Sequence, residues 1–259
     1  MIKKMVFTIL ALILFNVQQV SAEFILSDRT KIYYTDSKSK GQVVVLLHGF
    51  SMSSSMWHET GIVDRLSEKH RVITLDIRGH GKSGKPEGVE HYGPKVAEDV
   101  INLLNSLRIE KAHLVGYSMG AYIVGRILVT NPKKVATATL VSGFFPSDDS
   151  HELQYQESVA KDMEEHGEQV LADVARGWRY DAVTDKQIAQ IKVPMQAIFG
   201  SEEIDQHFQR QVKRLELPES FFKTMIIEGA DHDSKKAAVL NPNSILAVEK
   251  LVNLSQDKK

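Results

Sequence analysis

The chain alternates between short apolar runs, rich in β-branched residues, and longer segments whose apolar positions recur with helical spacing. An unbroken apolar run is typical of a strand that is covered on both faces of a sheet. Such runs occupy residues 43–47, 72–75, 113–115, 139–141, 197–199 and 225–227, and a polar turn predicts a hairpin over 25–34. Helical patterns cover residues 56–66, 96–107 and 121–129. Alternating strands and helices predict an α/β fold with a mostly parallel central sheet flanked by helices.

One interval between predicted strands is longer than a single crossover requires. Roughly fifty residues separate the run ending at residue 141 from the one beginning near 195, and residues 150–176 look mostly helical. An insertion at this point lies above the carboxyl ends of the strands, where a lid would cover a site. We therefore predict a small helical lid after the sixth strand, over about residues 145–185. A long surface excursion is the alternative.

The first 22 residues differ from the rest of the chain. Lys3 and Lys4 precede an apolar run of 11 residues that ends at Phe15, and residues 20–22 form a small-x-small site. This pattern predicts a secretory signal peptide over residues 1–22, cleaved after Ala22. The apolar run is shorter than the roughly 20 residues that span a bilayer. We therefore expect a secreted or periplasmic protein, one domain from residue 23 to 259, and no stable membrane anchor after cleavage.

The overall composition is that of an ordinary globular protein, with 42% apolar and 25% charged residues. The formal net charge is −1 for the whole chain and about −3 without Lys3 and Lys4. Because no basic stripe is present, we do not expect nucleic-acid binding. The absence of cysteine excludes disulfides and a cysteine nucleophile. A small-molecule substrate is the expected partner.

Residues 116–120 form a G-x-S-x-G pentapeptide with Ser118 at its centre. The pattern is common by itself, but here it directly follows the apolar run 113–115 and directly precedes a helical segment. A sharp strand-to-helix turn strains its central residue and requires small neighbours. Such a turn exposes the hydroxyl of Ser118 and directs the positive end of the helix dipole toward it. We therefore predict that Ser118 is a nucleophile.

A serine hydroxyl needs a base to remove its proton, and the sequence offers ten histidines. Most of them lie in polar stretches, and His113 lies within a predicted strand. His232 follows the last strand in a tight turn, at the same carboxyl edge of the sheet as Ser118. The chain order serine, acid, histidine is also the one found with a strand-to-helix nucleophile turn. We therefore predict that His232 is the general base.

The acid is expected in the loop after the preceding strand, where Glu202, Glu203 and Asp205 provide three carboxylates. A carboxylate on the far imidazole nitrogen fixes the tautomer of the histidine and stabilises its protonated form. The position of the loop leaves all three open. Asp205 precedes the helical stretch 206–215, where it can instead serve as the helix N-cap.

His48, Gly49 and Phe50 follow the first long strand. A glycine there lets the backbone approach a bound carbonyl closely. We predict that the N–H groups of Phe50 and Met119 form an oxyanion hole, which stabilises charge that develops in the transition state. His48 has no partner at metal-ligand spacing, so we predict no metal site.

Together these residues resemble the α/β-hydrolase superfamily, in particular its lid-bearing esterase, epoxide-hydrolase and haloperoxidase-like branch. The resemblance covers most of the chain after the signal peptide except residues 145–185. Its segments are residues 43–50, a D-x-R-G-x-G-x-S loop at 76–83, and residues 98–120, 191–203 and 228–232.

This resemblance implies the α/β-hydrolase fold and an acid three residues after a glycine. Glu203 stands at that position, where the branch usually has Asp, and Asp205 is the alternative acid. Epoxide hydrolases and haloalkane dehalogenases of the branch use an Asp nucleophile. Ser118 therefore implies ester-type chemistry instead.

We expect a serine hydrolase that cleaves a small to medium carboxylic ester through an acyl-enzyme, without a cofactor. Amide, lactone and carbon–carbon bond hydrolysis use the same triad and are alternatives; a ligand-binding receptor with little turnover is an alternative of another class. Phe144, Phe145 and Trp178 are expected to line an apolar substrate pocket. Acidic residues of the predicted lid, Glu152 among them, are candidates for holding a substrate amine, but a helical charge run is usually a solvated face.

Overall fold

The structure is a computed structural model that describes residues 21–204, 206–232 and 234–254. Within this part of the chain, eight strands form one sheet in the order β1-β2-β4-β3-β5-β6-β7-β8. They are β1 Ser21–Ser27, β2 Thr30–Asp36, β3 Val43–Leu47, β4 Arg71–Leu75, β5 Ala112–Tyr117, β6 Val135–Val141, β7 Met195–Gly200 and β8 Phe221–Ile227. β2 pairs antiparallel with β1 and β4, and the pairs from β4 through β3 to β8 are parallel. The predicted α/β fold with a mostly parallel sheet is confirmed.

Helices cover both faces of this sheet. They are α1 Ser55–Glu59, α2 Ile62–Ser67, α3 Pro94–Ser106, α4 Met119–Thr130, α5 Ser150–Glu165, α6 Gln169–Gly177, α7 Asp185–Ala189, α8 Gln206–Leu215 and α9 Pro242–Leu254. Alternate residues of β3 enter different cores. Val45 and Leu47 pack in the core that contains residues of α3 and α4, whereas Val44 and Leu46 pack in the core that contains residues of α1, α2 and α9. This burial on both faces explains why the strand is apolar throughout.

The sequence pattern predicts one continuous helix over residues 56–66, but the structure has two helices there, so this prediction is wrong. α1 ends at Glu59 and α2 begins at Ile62, with Gly61 between them at a φ of 72°. Glycine adopts this left-handed conformation without the steric penalty that a Cβ brings. The change of direction buries Trp57 and Leu66, each 1% exposed, in the same core.

The long interval between β6 and β7 is helical, as the pattern of residues 150–176 predicts. α5 begins after Asp149, whose carboxylate caps the helix by accepting from the backbone N–H of Glu152 at 3.0 Å. α5 packs against α6, and a short 3₁₀ turn, Trp178–Asp181, follows. We call α5, α6 and this turn the helical insertion. Its movement as a lid stays a prediction.

The predicted signal peptide lies almost entirely outside the described residues, since β1 begins at Ser21. The cleavage site after Ala22 falls within β1, and secretion stays a prediction. Among the helices that the structure describes, none combines the length and the apolar character needed to cross a bilayer.

Candidate active site

Ser118 lies at the turn between β5 and α4 with a φ of 52° and a ψ of −115°. The backbone of a residue other than glycine is strained at this positive φ. Close packing of the neighbouring residues holds the turn in this conformation. A Cβ on Gly116 would overlap the carbonyl oxygen of Gly120, and a Cβ on Gly120 would overlap that of Leu47. Both glycines are therefore required by sterics, and the strained turn predicted from the pentapeptide is present.

The hydroxyl of Ser118 is paired with the imidazole of His232. Ser118 Oγ lies 3.0 Å from His232 Nε2, across a sequence separation of 114 residues. His232 follows β8 after a tight turn, and its backbone carbonyl accepts a hydrogen bond from the hydroxyl of Tyr117. The residue before the serine thus holds the segment that carries the histidine.

Glu203 completes the hydrogen-bonded chain. Its Oε2 lies 3.0 Å from His232 Nδ1, and its side chain is 9% exposed. Its Oε1 accepts from Ser142 Oγ at 2.8 Å and from the backbone N–H of Gly200 at 2.6 Å. Of the two candidate carboxylates that the structure describes, Glu203 contacts His232, and Glu202 borders the cleft described below. Asp205 lies outside the described residues.

Phe50 and Met119, the residues predicted for the oxyanion hole, border the same cleft as Ser118. Within the described part of the chain, neither backbone N–H donates to an acceptor. Met119 is the first residue of α4, so its N–H also lies at the positive end of the helix dipole. Two free donors next to the serine are suited to bind a carbonyl oxygen.

His48 is part of the scaffold under this edge of the sheet. Its Nδ1 donates to the carbonyl of Gly49 at 2.7 Å, and its Nε2 accepts from the N–H of Ile77 at 3.0 Å. Burial lowers the pKa of His48 to about 4, so the ring is neutral. The Nε2 contact therefore joins the loop after β3 to the loop after β4, and the Nδ1 contact fixes the ring within its own loop. Among the described residues, no three or more His, Asp or Glu side chains are grouped to hold a metal ion.

The cleft in front of Ser118 has a volume of about 440 Å³ and is walled largely by aromatic rings. Phe144 and Trp178 line it, as expected from the sequence. The expectation for Phe145 is wrong, because its side chain is 1% exposed and packs in the core. Successive residues after β6 point in different directions, so Phe144 reaches the cleft while Phe145 lies against Gly125.

Several residues of the site were missed by sequence reasoning. Ser142 contacts the acid, Tyr117 holds the histidine segment, and Phe199 and Phe208 add aromatic rings to the cleft. Ser142 directly follows β6 at the carboxyl edge of the sheet, and this position was the available signal. Nothing local in the sequence pointed to the others.

Glu152 corrects the expectation that the acidic residues of the insertion form a solvated face. It lies in the first turn of α5, is 4% exposed and borders the cleft. Gln156 Nε2 donates to its Oε1 at 3.3 Å. Burial raises the pKa of Glu152. The helix turns this one carboxylate inward, while Glu164 and Glu165 stay exposed.

Comparisons with known families and solved structures identify the fold. The alpha/beta hydrolase fold family model matches residues 42–225, which is most of the chain. The chain therefore belongs to the alpha/beta hydrolase fold family. In solved structures, an epoxide hydrolase from Vigna radiata superimposes with a TM-score of 0.74 at 15% identity, covering 91% of this chain and 98% of that one. A thermophilic esterase from Thermogutta terrifontis gives 0.74 at 17% identity, covering 91% and 99%. These likenesses show the fold.

The matches to curated relatives cover smaller shares of the two chains than the matches to solved structures do. A pimeloyl-[acyl-carrier protein] methyl ester esterase from Aeromonas hydrophila is 33% identical over 40% of this chain, and the match spans 38% of that relative's length. Carboxylesterase YbfK from Bacillus subtilis is 25% identical and is covered more fully, over 73% of both chains. A non-heme chloroperoxidase from Streptomyces lividans is 37% identical over 46% of this chain and 44% of its own.

Proposed function

We propose that this protein is a serine hydrolase that cleaves carboxylic esters through an acyl-enzyme. The proposal rests on the hydrogen-bonded chain Ser118–His232–Glu203. The distance is 3.0 Å from Ser118 Oγ to His232 Nε2 and 3.0 Å from His232 Nδ1 to Glu203 Oε2. A hydroxyl, an imidazole and a carboxylate in this order are the elements of nucleophilic catalysis by serine. The names of the esterases among the relatives support the same reaction class.

In the first half of the reaction, Ser118 Oγ attacks the ester carbonyl carbon and His232 Nε2 takes the hydroxyl proton. The carbonyl oxygen becomes an oxyanion, which accepts from the N–H groups of Phe50 and Met119. His232 then gives its proton to the alcohol oxygen as the C–O bond breaks. The alcohol leaves, and the acyl group stays bound to Ser118 as an ester.

In the second half, water attacks the acyl-enzyme and His232 accepts its proton. The carboxylic acid leaves as the proton returns to Ser118 Oγ. Glu203 keeps its negative charge throughout and stabilises the imidazolium that forms in each half. The contacts from Ser142 and Gly200 hold Glu203 Oε1, so that Oε2 faces the ring.

A fluorophosphonate probe tests the activated serine, and a series of p-nitrophenyl esters of increasing chain length tests the reaction. The wild-type protein should label and hydrolyse the esters. Ser118→Ala should not label and should lose roughly 10³-fold or more in kcat, because only binding and the oxyanion donors remain. Ser55→Ala, which removes an exposed serine of α1, is the matched control and should behave as wild type. Labelling that survives Ser118→Ala would contradict the proposal.

A further inference from the structure

The cleft adjoins a smaller inner cavity under the helical insertion. Met119, Tyr122, Glu152 and Trp178 border both spaces. The inner cavity has a volume of about 10 Å³, which is room for one group of the size of a water molecule. A primary ammonium group, with one nitrogen and three short N–H bonds, has the same size.

Two residues that border this inner cavity carry buried acceptor oxygens with no hydrogen-bond donor among the described residues. Gln156 is 2% exposed and Asp181 is 7% exposed, and both border it. Gln156 Oε1 and Asp181 Oδ1 are buried and accept no hydrogen bond from the described residues. The amide of Gln156 is oriented by its Nε2, which donates to Glu152, so its oxygen is the atom left over. Buried acceptors of this kind are destabilising unless a donor reaches them.

Acidic side chains surround the two spaces. Burial raises the pKa of Glu152, and it raises the pKa of Asp181 to about 7, so a bound cation stabilises their ionised forms. Glu152 and Asp181 border the inner cavity, and Glu202 and Glu203 border the cleft. No Lys or Arg lines either space in the part of the chain that the structure describes. Arg126 lines neither space, but its Nε lies 3.7 Å from Asp181 Oδ1. The imidazoles of His151 and His232 also border the cleft. The carboxylates attract positive groups and repel negative ones.

Aromatic rings stand at the boundary between cleft and cavity. The ring centroids of Phe50 and Trp178 are 5.1 Å apart, and those of Tyr122 and Trp178 are 6.4 Å apart. The face of an aromatic ring carries negative potential and attracts ammonium groups, most strongly for tryptophan. Tyr122 and Trp178 border both spaces, so a cation beside Glu152 lies near aromatic rings.

We infer that Glu152, Gln156 and the inner cavity bind the ammonium group of the substrate, so that the protein prefers esters whose acyl or alcohol part carries a primary amine. This inference rests on the proposed ester hydrolysis for its kinetic test. The ammonium donates to Gln156 Oε1 and to the carboxylate of Glu152, while the ester group lies in the cleft at Ser118. Esters with a carboxylate in the same place are disfavoured.

The first test compares three methyl esters of similar length: methyl 6-aminohexanoate, methyl heptanoate and monomethyl adipate. Acid release is followed by titration at constant pH. The amino ester should have a kcat/KM about tenfold or more above that of the neutral ester, in line with a hydrogen-bonded charge pair, and the acidic ester should be the poorest substrate. An amino ester that reacts no faster than the neutral ester overturns the inference, and the cavity then holds water instead.

The second test uses Glu152→Gln, which keeps the shape and removes the charge. The ratio of kcat/KM between amino and neutral esters should fall about tenfold. Glu165→Gln, at an exposed position of the same helix, is the matched control and should keep the wild-type ratio. If the ratio of kcat/KM between the amino and neutral esters is unchanged in Glu152→Gln, Glu152 does not bind the ammonium group and its assignment is overturned.

Binding to Ser118→Ala separates failure of this inference from failure of the proposed function. Calorimetry should show hexylammonium binding at least about tenfold more tightly than 1-hexanol, with no turnover involved. Equal binding of the two overturns the ammonium site. If hexylammonium is preferred but none of the methyl esters is hydrolysed by wild type, the ammonium site stands and the proposed ester hydrolysis is wrong.

Discussion

Ser142 Oγ donates a 2.8 Å hydrogen bond to Glu203 Oε1, the oxygen of the carboxylate that faces away from His232. Ser142 has a φ of 49° directly after β6, and Glu203 lies in the 3₁₀ turn directly after β7. The ends of two adjacent strands thus hold one carboxylate. A glutamate has one more rotatable bond than an aspartate, and this second anchor restricts the extra freedom.

Removal of the charge of Glu203 should impair catalysis far more than folding. Glu203→Gln should lower kcat for a p-nitrophenyl ester by orders of magnitude, because a neutral amide does not stabilise imidazolium. Its melting temperature should change little, since Gln can still accept from Ser142. Steady-state kinetics and thermal unfolding of the purified variant check both statements.

Asp205→Asn is the matched comparison, because Asn caps a helix about as well as Asp. This variant should keep nearly the full kcat. If Asp205→Asn is inactive while Glu203→Gln is active, the acid lies two residues later than the structure suggests.

Ser142 should act as a positioning residue for Glu203. Ser142→Ala keeps the carboxylate but removes one of the two donors to its Oε1, so kcat should fall about tenfold while KM stays nearly constant. In Glu203→Gln, the further change Ser142→Ala should have little additional effect on kcat, because the group it positions is already lost. Additive losses in the double variant would contradict this coupling.

His113 should make the protein sensitive to acid. It is buried in β5, its Nδ1 lies 2.8 Å from Thr137 Oγ1, and burial lowers its pKa to about 4. The unfolded chain binds a proton near pH 6.5, so the stability contributed by neutral His113 is present above that pH and is lost as the pH falls toward 4. His113→Gln should therefore lose less unfolding free energy than wild type between pH 7.5 and 4.5, by about 2 kcal/mol.

Urea unfolding at the two pH values measures this difference. The other titrating groups are common to both proteins and cancel in the comparison. Parallel losses of stability in the two proteins would show that His113 is not the source of the acid sensitivity.

We propose that the protein is exported and that the mature chain begins at Glu23. The carboxylate of this residue accepts from the hydroxyl of Tyr34 at 2.8 Å and pairs with Lys38 at 3.0 Å, so these contacts stay available after cleavage. Intact-mass analysis of the secreted or periplasmic protein should give the mass of residues 23–259. Recovery of the chain from Met1 in the membrane fraction would contradict export with cleavage.

The sequence alone determined the positions of the buried strands and the turn at Ser118, because these depend on local patterns. A strand covered on both faces must be apolar throughout, and a strained turn between strand and helix needs Gly116 and Gly120. The place of His232 after the last strand also followed, since parallel strands end at one edge of the sheet. The break at Gly61 was missed, because an apolar helical pattern runs on through it.

The tertiary structure decided which side chains meet across the site. Glu203, rather than Glu202, contacts His232 because Ser142 and the N–H of Gly200 hold its other oxygen, and these donors come from two strand ends. Glu152 is buried because the helical insertion packs its first turn against the cleft, which a run of charges along a helix does not reveal. Such contacts join residues far apart in the chain, and their geometry arises only when the sheet and the insertion are assembled.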